Sequence, residues 1–306
     1  MKKMKTRWRI GTRGSRLAIK QTEIVVEKLK QIYPHLDFQI MTIKTKGDTI
    51  WDRPLHLIGG KGLFVKEIEE ALVNDEIDMA VHSAKDLPTE LAKGLVLGAV
   101  LEREDPRDAF VSDNWNNLNE LKQGARIGTS SLRRKAQLLN LKRDLNIVDL
   151  RGNVDTRIRK MGEKDLDGII LAFAGVKRMG LHARIKEIIP VDIMVPAAGQ
   201  GAIGIETKNK EEVLEFLMPL NHEESLKEIE IERTIQTKIG GGCHVPLGIN
   251  ASLSENELIV HIVLGEENGK ILFKERYTGN IDKADEIIET LIKKLPPIKG
   301  ATLPER

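Results

Sequence analysis

Apolar positions along this chain recur with two periods, and the order of those periods repeats. "RIGTRGSRLA" at 9–18 reads as a short strand, a Gly-Thr step, a small polar turn and the start of a helix. Leu17, Ile24, Val25, Leu29 and Ile32 then follow at helical spacing. "LDFQIMTIKTKGD" at 36–48 is a second strand that ends in a glycine-containing turn. Phe64, Ile68, Ala71 and Leu72 fall on one face of a second helix, and "EIDMAVHSAKDLP" at 76–88 is a buried apolar strand. The pattern starts again with "RIGTSSLRRKA" at 126–136, "LNIVDLRGNVDTR" at 145–157 and "DLDGIILAFAGVK" at 165–177. Each half reads β-α-β-α-β, the order of parallel strands joined by crossover helices. Two similar α/β lobes are predicted, with a cleft between them. Ligands of such sheets gather at the carboxyl ends of strands, near helix N-termini.

The rest of the chain differs in kind. "VPAAGQGAIGIE" at 195–206 is too rich in glycine and alanine for an ordinary helix and reads as a crossover returning to the first lobe. A helix near 223–238 leads into "GGGCHVPLG" at 240–248. Strands near 247–253, 257–264 and 270–278 follow, the last two joined by an "ENGK" hairpin turn, with a helix near 282–294. The expected division is a first lobe of 1–103 with 197–219, a second lobe of 104–196, and a small α+β domain of 220–306.

Composition narrows the partners. Net charge is +2, from 48 basic and 46 acidic residues, so positive charge matters only where it clusters. With 4% aromatic residues and no stacking motif, a nucleic-acid binder is not expected. No stretch approaches the ~20 apolar residues of a membrane span. The basic start, "MKKMKTRWRIGTRGS", lacks the apolar stretch of a secretory signal, and with a single cysteine it points to the cytoplasm. The seven histidines show no metal-ligand spacing, and no metal is expected.

Candidate chemistry sits at the strand ends. In "GTSSLRRKA", Thr129, Ser130 and Ser131 occupy N-cap territory while Arg133 and Arg134 fall in the first helical turn, where positive charge opposes the helix dipole. An anion at that helix start would explain them; two solvated arginines on a capped helix is the plain alternative. Arg13 and Ser15 stand in the matching first-lobe turn, Arg151 and Arg157 follow the next strand, and Lys177 and Arg178 lie beyond the third. Six arginines in such places imply a ligand with several carboxylates or phosphates. "AVHSAKDLP" ends a buried strand in Lys85 and Asp86, where its twin has Ala174 and Gly175. Repeats that diverge at that end point to function, and Asp86 becomes a candidate acid or cation stabiliser rather than half of a surface ion pair. "GDTIWDRPLHLIGGKGLF" at 47–64 has the length of a lid, with Lys61 within reach of a site. Cys243, the only thiol, has three open readings from its position alone: small buried residue, nucleophile or attachment point.

In their order, "HSAKDLP", "EREDPRDAF", "GTSSLRR", "LRGNVDTR", "PAAGQGAIGIE" and "GGGCHVPLG" resemble the porphobilinogen deaminase (hydroxymethylbilane synthase) family, from about residue 8 to the last helix. That resemblance implies two lobes like type II periplasmic binding proteins and a small α+β C-terminal domain. It implies a transferase of tetrapyrrole biosynthesis that joins four porphobilinogens head to tail into hydroxymethylbilane, releasing four ammonias. A dipyrromethane cofactor joined by a thioether to Cys243 would prime the chain. Asp86 matches the catalytic group. Lys85, Asp86, Ser131, Arg133 and Arg134 match cofactor-binding residues, and Arg13, Ser15, Arg151, Arg157 and Arg178 match residues for substrate and growing chain. Lys61 and Phe64 match the lid, although a second lid lysine of some relatives is Leu57 here. His244 replaces the glutamine common after the cysteine. A Cys-His dyad is not expected, because neighbours in an extended segment point opposite ways. The expected partner is porphobilinogen alone, acting on a monomer without nucleic acid or membrane.

Two rivals have less support. A solute-binding protein shares the bilobal fold but needs neither Cys243 nor Asp86. A cysteine hydrolase needs His and Asn or Asp oriented around Cys243, and nothing in the sequence places them.

Overall fold

The structure is a computed structural model that describes residues 5–49, 62–240 and 245–296. These group into two compact units, one holding 5–49, 62–103 and 202–226, the other 104–201, 227–240 and 245–296.

The first unit is built on a five-stranded sheet. β1 (Arg7–Arg13) leads through Ser15 into α1 (Arg16–Ile32), and β2 (Asp37–Ile43) into a single helical turn, α2 (Lys46–Thr49). α3 (Lys66–Val73), β3 (Met79–Ser83) and β4 (Leu95–Val100) follow. The Ser15 side chain accepts the Ala18 N–H, which satisfies one of the donors a helix start leaves open. α1 buries Val25, Val26 and Leu29, with Gln21 and Thr22 beside them, while Ile32 stays exposed. Phe64 does not continue the face of α3. The helix starts only after Val65, and Phe64 sits in the turn that opens at Gly62 with a left-handed φ of 78°.

The second unit repeats the plan. β5 (Asp108–Val111) and β6 (Arg126–Gly128) precede α4 (Leu132–Leu141), capped by Ser131. β7 (Asn146–Val148), α5 (Val154–Glu163), β8 (Gly168–Ala172), α6 (Phe173–Arg178) and β9 (Ile185–Ile189) complete this lobe. The Gly- and Ala-rich segment after it ends in β10 (Ile203–Lys208), which enters the first sheet. The strand orders are β2-β1-β3-β10-β4 and β7-β6-β8-β5-β9. In both sheets the first three strands are parallel and the fourth runs antiparallel. Two similar α/β lobes are therefore present as the repeat predicts.

Apolar residues fill both faces of each sheet, as parallel strands require. Trp8, Ile10, Leu29, Met79 and Ile205 pack on one face of the first sheet, and Ile68, Leu72 and Ile77 on the other. The second lobe has Phe110, Ile127, Leu138 and Ile170 on one face and Leu150, Met161, Ile169 and Val176 on the other. After α7 (Glu211–Leu217) and α8 (Glu223–Ile239), a three-stranded antiparallel sheet forms from β11 (Leu247–Ser254), β12 (Glu257–Gly265) and β13 (Ile271–Asn280). α9 (Ala284–Lys294) closes it, and Ile235, Ile249, Val260, Ile287 and Leu291 form its core.

Candidate active site

In the first lobe the carboxyl ends of three parallel strands bring a compact polar group together. Arg13 ends β1, Asp48 lies in the turn after β2, and Asp86 closes a 3-10 turn after β3. Arg13 donates through Nη2 to Asp48 Oδ1 at 2.5 Å, and its Nη1 lies 3.9 Å from Asp86 Oδ2. The guanidinium stands over the Phe64 ring, 4.1 Å from the centroid, a cation–π arrangement. The ring lies against Gly47, where a Cβ would meet it at 2.2 Å, so glycine is what allows this stacking. Asp48 also accepts from the Thr45 hydroxyl at 2.8 Å. Burial works against its charge, but the hydrogen bond and charge of Arg13 outweigh that and hold its carboxyl below the usual range. Arg13 Nε is buried without a hydrogen-bond partner among the described residues, and Asp86 keeps 39% of its side chain exposed.

β3 is held from behind. Gln21 of α1 and Ser83 exchange hydrogen bonds of 2.9 and 3.1 Å. His82 Nε2 lies 3.0 Å from Glu206 Oε2, both buried, though without hydrogen-bond alignment. Ser15 caps α1, and Lys85 sits half-buried in the 3-10 turn.

In the second lobe Arg133 and Arg134 are buried, each 5% exposed, which removes the solvated reading. Both bind Asp108, itself at 0%. Arg133 Nη1 donates to Asp108 Oδ2 at 2.6 Å and to the Val195 carbonyl at 2.8 Å. Arg134 donates from Nη2 (2.7 Å) and Nε (3.0 Å) to Asp108 Oδ1, and from Nη1 to the Ile170 carbonyl at 3.0 Å. Burial strongly penalises the Asp108 carboxylate, yet the two arginine charges and its hydrogen bonds prevail and hold it far below the ordinary range. Ser131 caps α4, and Ser130 donates to the Leu150 carbonyl at 2.6 Å, tying two strand ends together. Arg157 donates to the Gly152 carbonyl at 2.7 Å, so it braces the turn after Arg151. Arg178 donates to the Gly201 carbonyl at 2.6 Å. At Gly201, with φ at 94°, a Cβ would meet the Glu104 carbonyl oxygen at 2.2 Å, so the chain at Gly201 lies backbone to backbone against that at Glu104.

The structure thus brings Arg13, Phe64 and Asp86 together, and Arg133 with Arg134. Lys61, Cys243 and His244 lie outside the described residues. Asp48, Gln21, Asp108 and Gln200 were not expected. Asp108 and Gln200 stand inside "EREDPRDAF" and "PAAGQGAIGIE", so the motifs marked them without giving them a role. Among the described residues no group of three or more His, Cys, Asp or Glu is placed to hold a metal ion, and no helix is long and apolar enough to cross a membrane.

Residues 8–215 match the family model "Porphobilinogen deaminase, dipyromethane cofactor binding domain", and residues 226–296 match "Porphobilinogen deaminase, C-terminal domain". The chain belongs to the porphobilinogen deaminase family. The Porphobilinogen deaminase of Carboxydothermus hydrogenoformans is 48% identical over 287 residues, covering 94% of this chain and 92% of that one. That of Syntrophomonas wolfei is 48% identical over 300 residues, with 96% and 97% covered. Among solved structures, the "Methionine Binding Protein, MetQ" aligns with 72% of this chain and 93% of its own at TM-score 0.43 and 16% identity, too distant to bear on the assignment. Family membership makes this chain a transferase whose cofactor is dipyrromethane.

Proposed function

We propose that this chain condenses four porphobilinogens stepwise onto a dipyrromethane primer held on Cys243 and releases hydroxymethylbilane. The observation that carries the reading is Asp86, a partly exposed carboxylate beside Arg13 at the carboxyl edge of a sheet, in a chain matched to this family over both of its regions. In each addition the substrate's C–N bond breaks and ammonia leaves. The methylene carbon left behind forms a bond to the nucleophile, whose proton is lost. Asp86 hands a proton to the departing amine and then stabilises the cationic pyrrole through its ring N–H.

The donor set fits a carboxylate-bearing cofactor. Arg133 and Arg134 carry two positive charges against one buried carboxylate, Asp108, and so keep net charge for a ligand. Ser131, Arg133, Arg134 and Lys85 would hold the primer's carboxylates. When bound, the primer supplies a pyrrole carbon as nucleophile. Arg13, with its unpartnered buried Nε, would take a substrate carboxylate together with Ser15, and Arg151, Arg157 and Arg178 would take those of the growing chain. Phe64 and Lys61 would order the lid, Phe64 by holding the Arg13 guanidinium flat. We infer a cytoplasmic monomer that works without nucleic acid or membrane.

The test is the intact mass of the chain beside a Cys243→Ser variant after incubation with porphobilinogen. A gain of two porphobilinogens less two ammonias in the first and none in the second is expected. No gain in either would remove the enzyme reading and leave a carboxylate-binding bilobal protein.

A further inference from the structure

At the start of its fourth strand lobe 2 buries a carboxylate where lobe 1 has an apolar residue. Asp108 opens an antiparallel strand, so it lies on the same edge as the carboxyl ends of the parallel strands, opposite Ala172. In lobe 1 the register-equivalent residue is Ile203, opposite Ser83. Counted from the capping serines, the lobe 1 counterparts of Arg133 and Arg134 are Leu17 and Ala18. Between the two lobes, a carboxylate at this strand position goes with the arginine pair.

Its bonds are selective. A guanidinium has five N–H donors. Arg133 spends both of its Nη1 donors and one of Nη2, and Arg134 spends Nε and one donor on each terminal nitrogen. What remains is Nε–H and one Nη2–H on Arg133, and one N–H on each terminal nitrogen of Arg134. Gln200 donates to Asp108 Oδ1, the oxygen that Arg134 also binds, at 2.9 Å and to the Pro106 carbonyl at 2.7 Å, so it ties the carboxylate to the β5 approach. The N–H of Gly199, next to Gln200, is taken at 2.6 Å by Glu232 of α8, whose other oxygen accepts the Ala251 N–H at 2.7 Å. The node is thus fixed by α4, β5, the crossover segment and α8 together.

We infer that Asp108, clamped by Gln200, is a positioning residue for primer assembly: it holds the Arg133 and Arg134 forks in one orientation, with their unspent N–H donors left for the primer's carboxylates. Without it two buried like charges repel, and each fork is free to turn onto neighbouring carbonyls. The inference rests on the porphobilinogen reading above. It predicts that losing the negative charge of Asp108 weakens carboxylate capture, although the site then becomes more positive.

The experiment follows covalent loading by intact mass against porphobilinogen concentration, with a melting temperature for every sample. The chains are unmodified protein, Asp108→Asn, Gln200→Ala and Leu291→Ala, the last a cavity variant in a core that contains neither arginine. For Asp108→Asn the concentration giving half-maximal loading rate should rise at least tenfold, and high porphobilinogen should restore full occupancy. Gln200→Ala should move the same way by less, and it carries the test if Asp108→Asn does not fold. Leu291→Ala should melt lower and load normally. Unshifted or tighter loading in the Asp108 variant, or an equal shift in Leu291→Ala, would overturn the inference. No mass gain in the unmodified protein would instead overturn the porphobilinogen reading beneath it.

Discussion

Strand for strand the two lobes carry the same sheet, yet they bury different polar side chains. Lobe 1 places His82 and Glu206 in its interior, where register gives lobe 2 Leu171 and Val111. Lobe 2 buries Asp108 with Arg133 and Arg134, where lobe 1 has Ile203, Leu17 and Ala18. After the third strand lobe 1 carries Lys85 and Asp86 and lobe 2 carries Ala174 and Gly175. Since the apolar version of each position folds in the other copy, none of these polar side chains is demanded by the topology. Burying polar and charged side chains costs stability that pairing only partly offsets, so their retention in one copy each asks for a role. On the function proposed above, lobe 1 would keep an exposed carboxylate for proton and cation chemistry, and lobe 2 fixed guanidiniums for carboxylates.

Exchanging residues between the lobes tests that division. The largest effect is expected from Asp86→Gly, the lobe 2 residue: turnover should fall by about 10²–10⁴-fold, measured as ammonia release, with the melting temperature nearly unchanged. Asp108→Ile alone strands two buried arginines and should cost about 3–5 kcal/mol in denaturant unfolding. Adding Arg133→Leu and Arg134→Ala should recover most of that stability while loading stays lost. His82→Leu alone should destabilise by less than the Asp108 change, since only one pair is broken, and Glu206→Val added to it should restore stability. If the paired exchanges do not recover, the charges are structural after all and the comparison loses its meaning.

A pH series sharpens the same point. The folded Asp108 carboxyl lies below its ordinary value of about 3.9, so its ionisation stabilises the fold fully above that value. That contribution is lost as pH falls from about 4 toward the folded value. The melting-temperature gap between unmodified protein and Asp108→Asn should be constant above about pH 5 and narrow below it. The smallest effect expected is Ser15→Ala, the loss of one helix cap, at about 1 kcal/mol.

Local chemistry was legible where the signal was local. The serine caps, the repeat, the hairpin turn and the strand leading into Asp86 all follow from spacing within a few residues. Phe64 was misplaced because 64, 68, 71 and 72 fit a helical face, while the turn at Gly62 keeps Phe64 outside the helix. Asp108 was missed for a different reason. Its partners lie 25 and 26 residues away, and it reaches the carboxyl edge of the parallel strands only because β5 runs against its neighbours. A parallel β-α-β reading has no place for such a strand. Asp48 likewise meets Arg13 only once two strand ends are side by side.

The most direct measurement weighs two variants side by side after incubation with porphobilinogen and follows their ammonia release. If lobe 1 supplies the chemistry and lobe 2 the carboxylate grip, Asp86→Asn retains primer occupancy far better than turnover. Arg134→Lys, with its charge kept but its fork lost, fails at loading. A fully loaded Arg134→Lys chain together with an active Asp86→Asn chain would contradict the account.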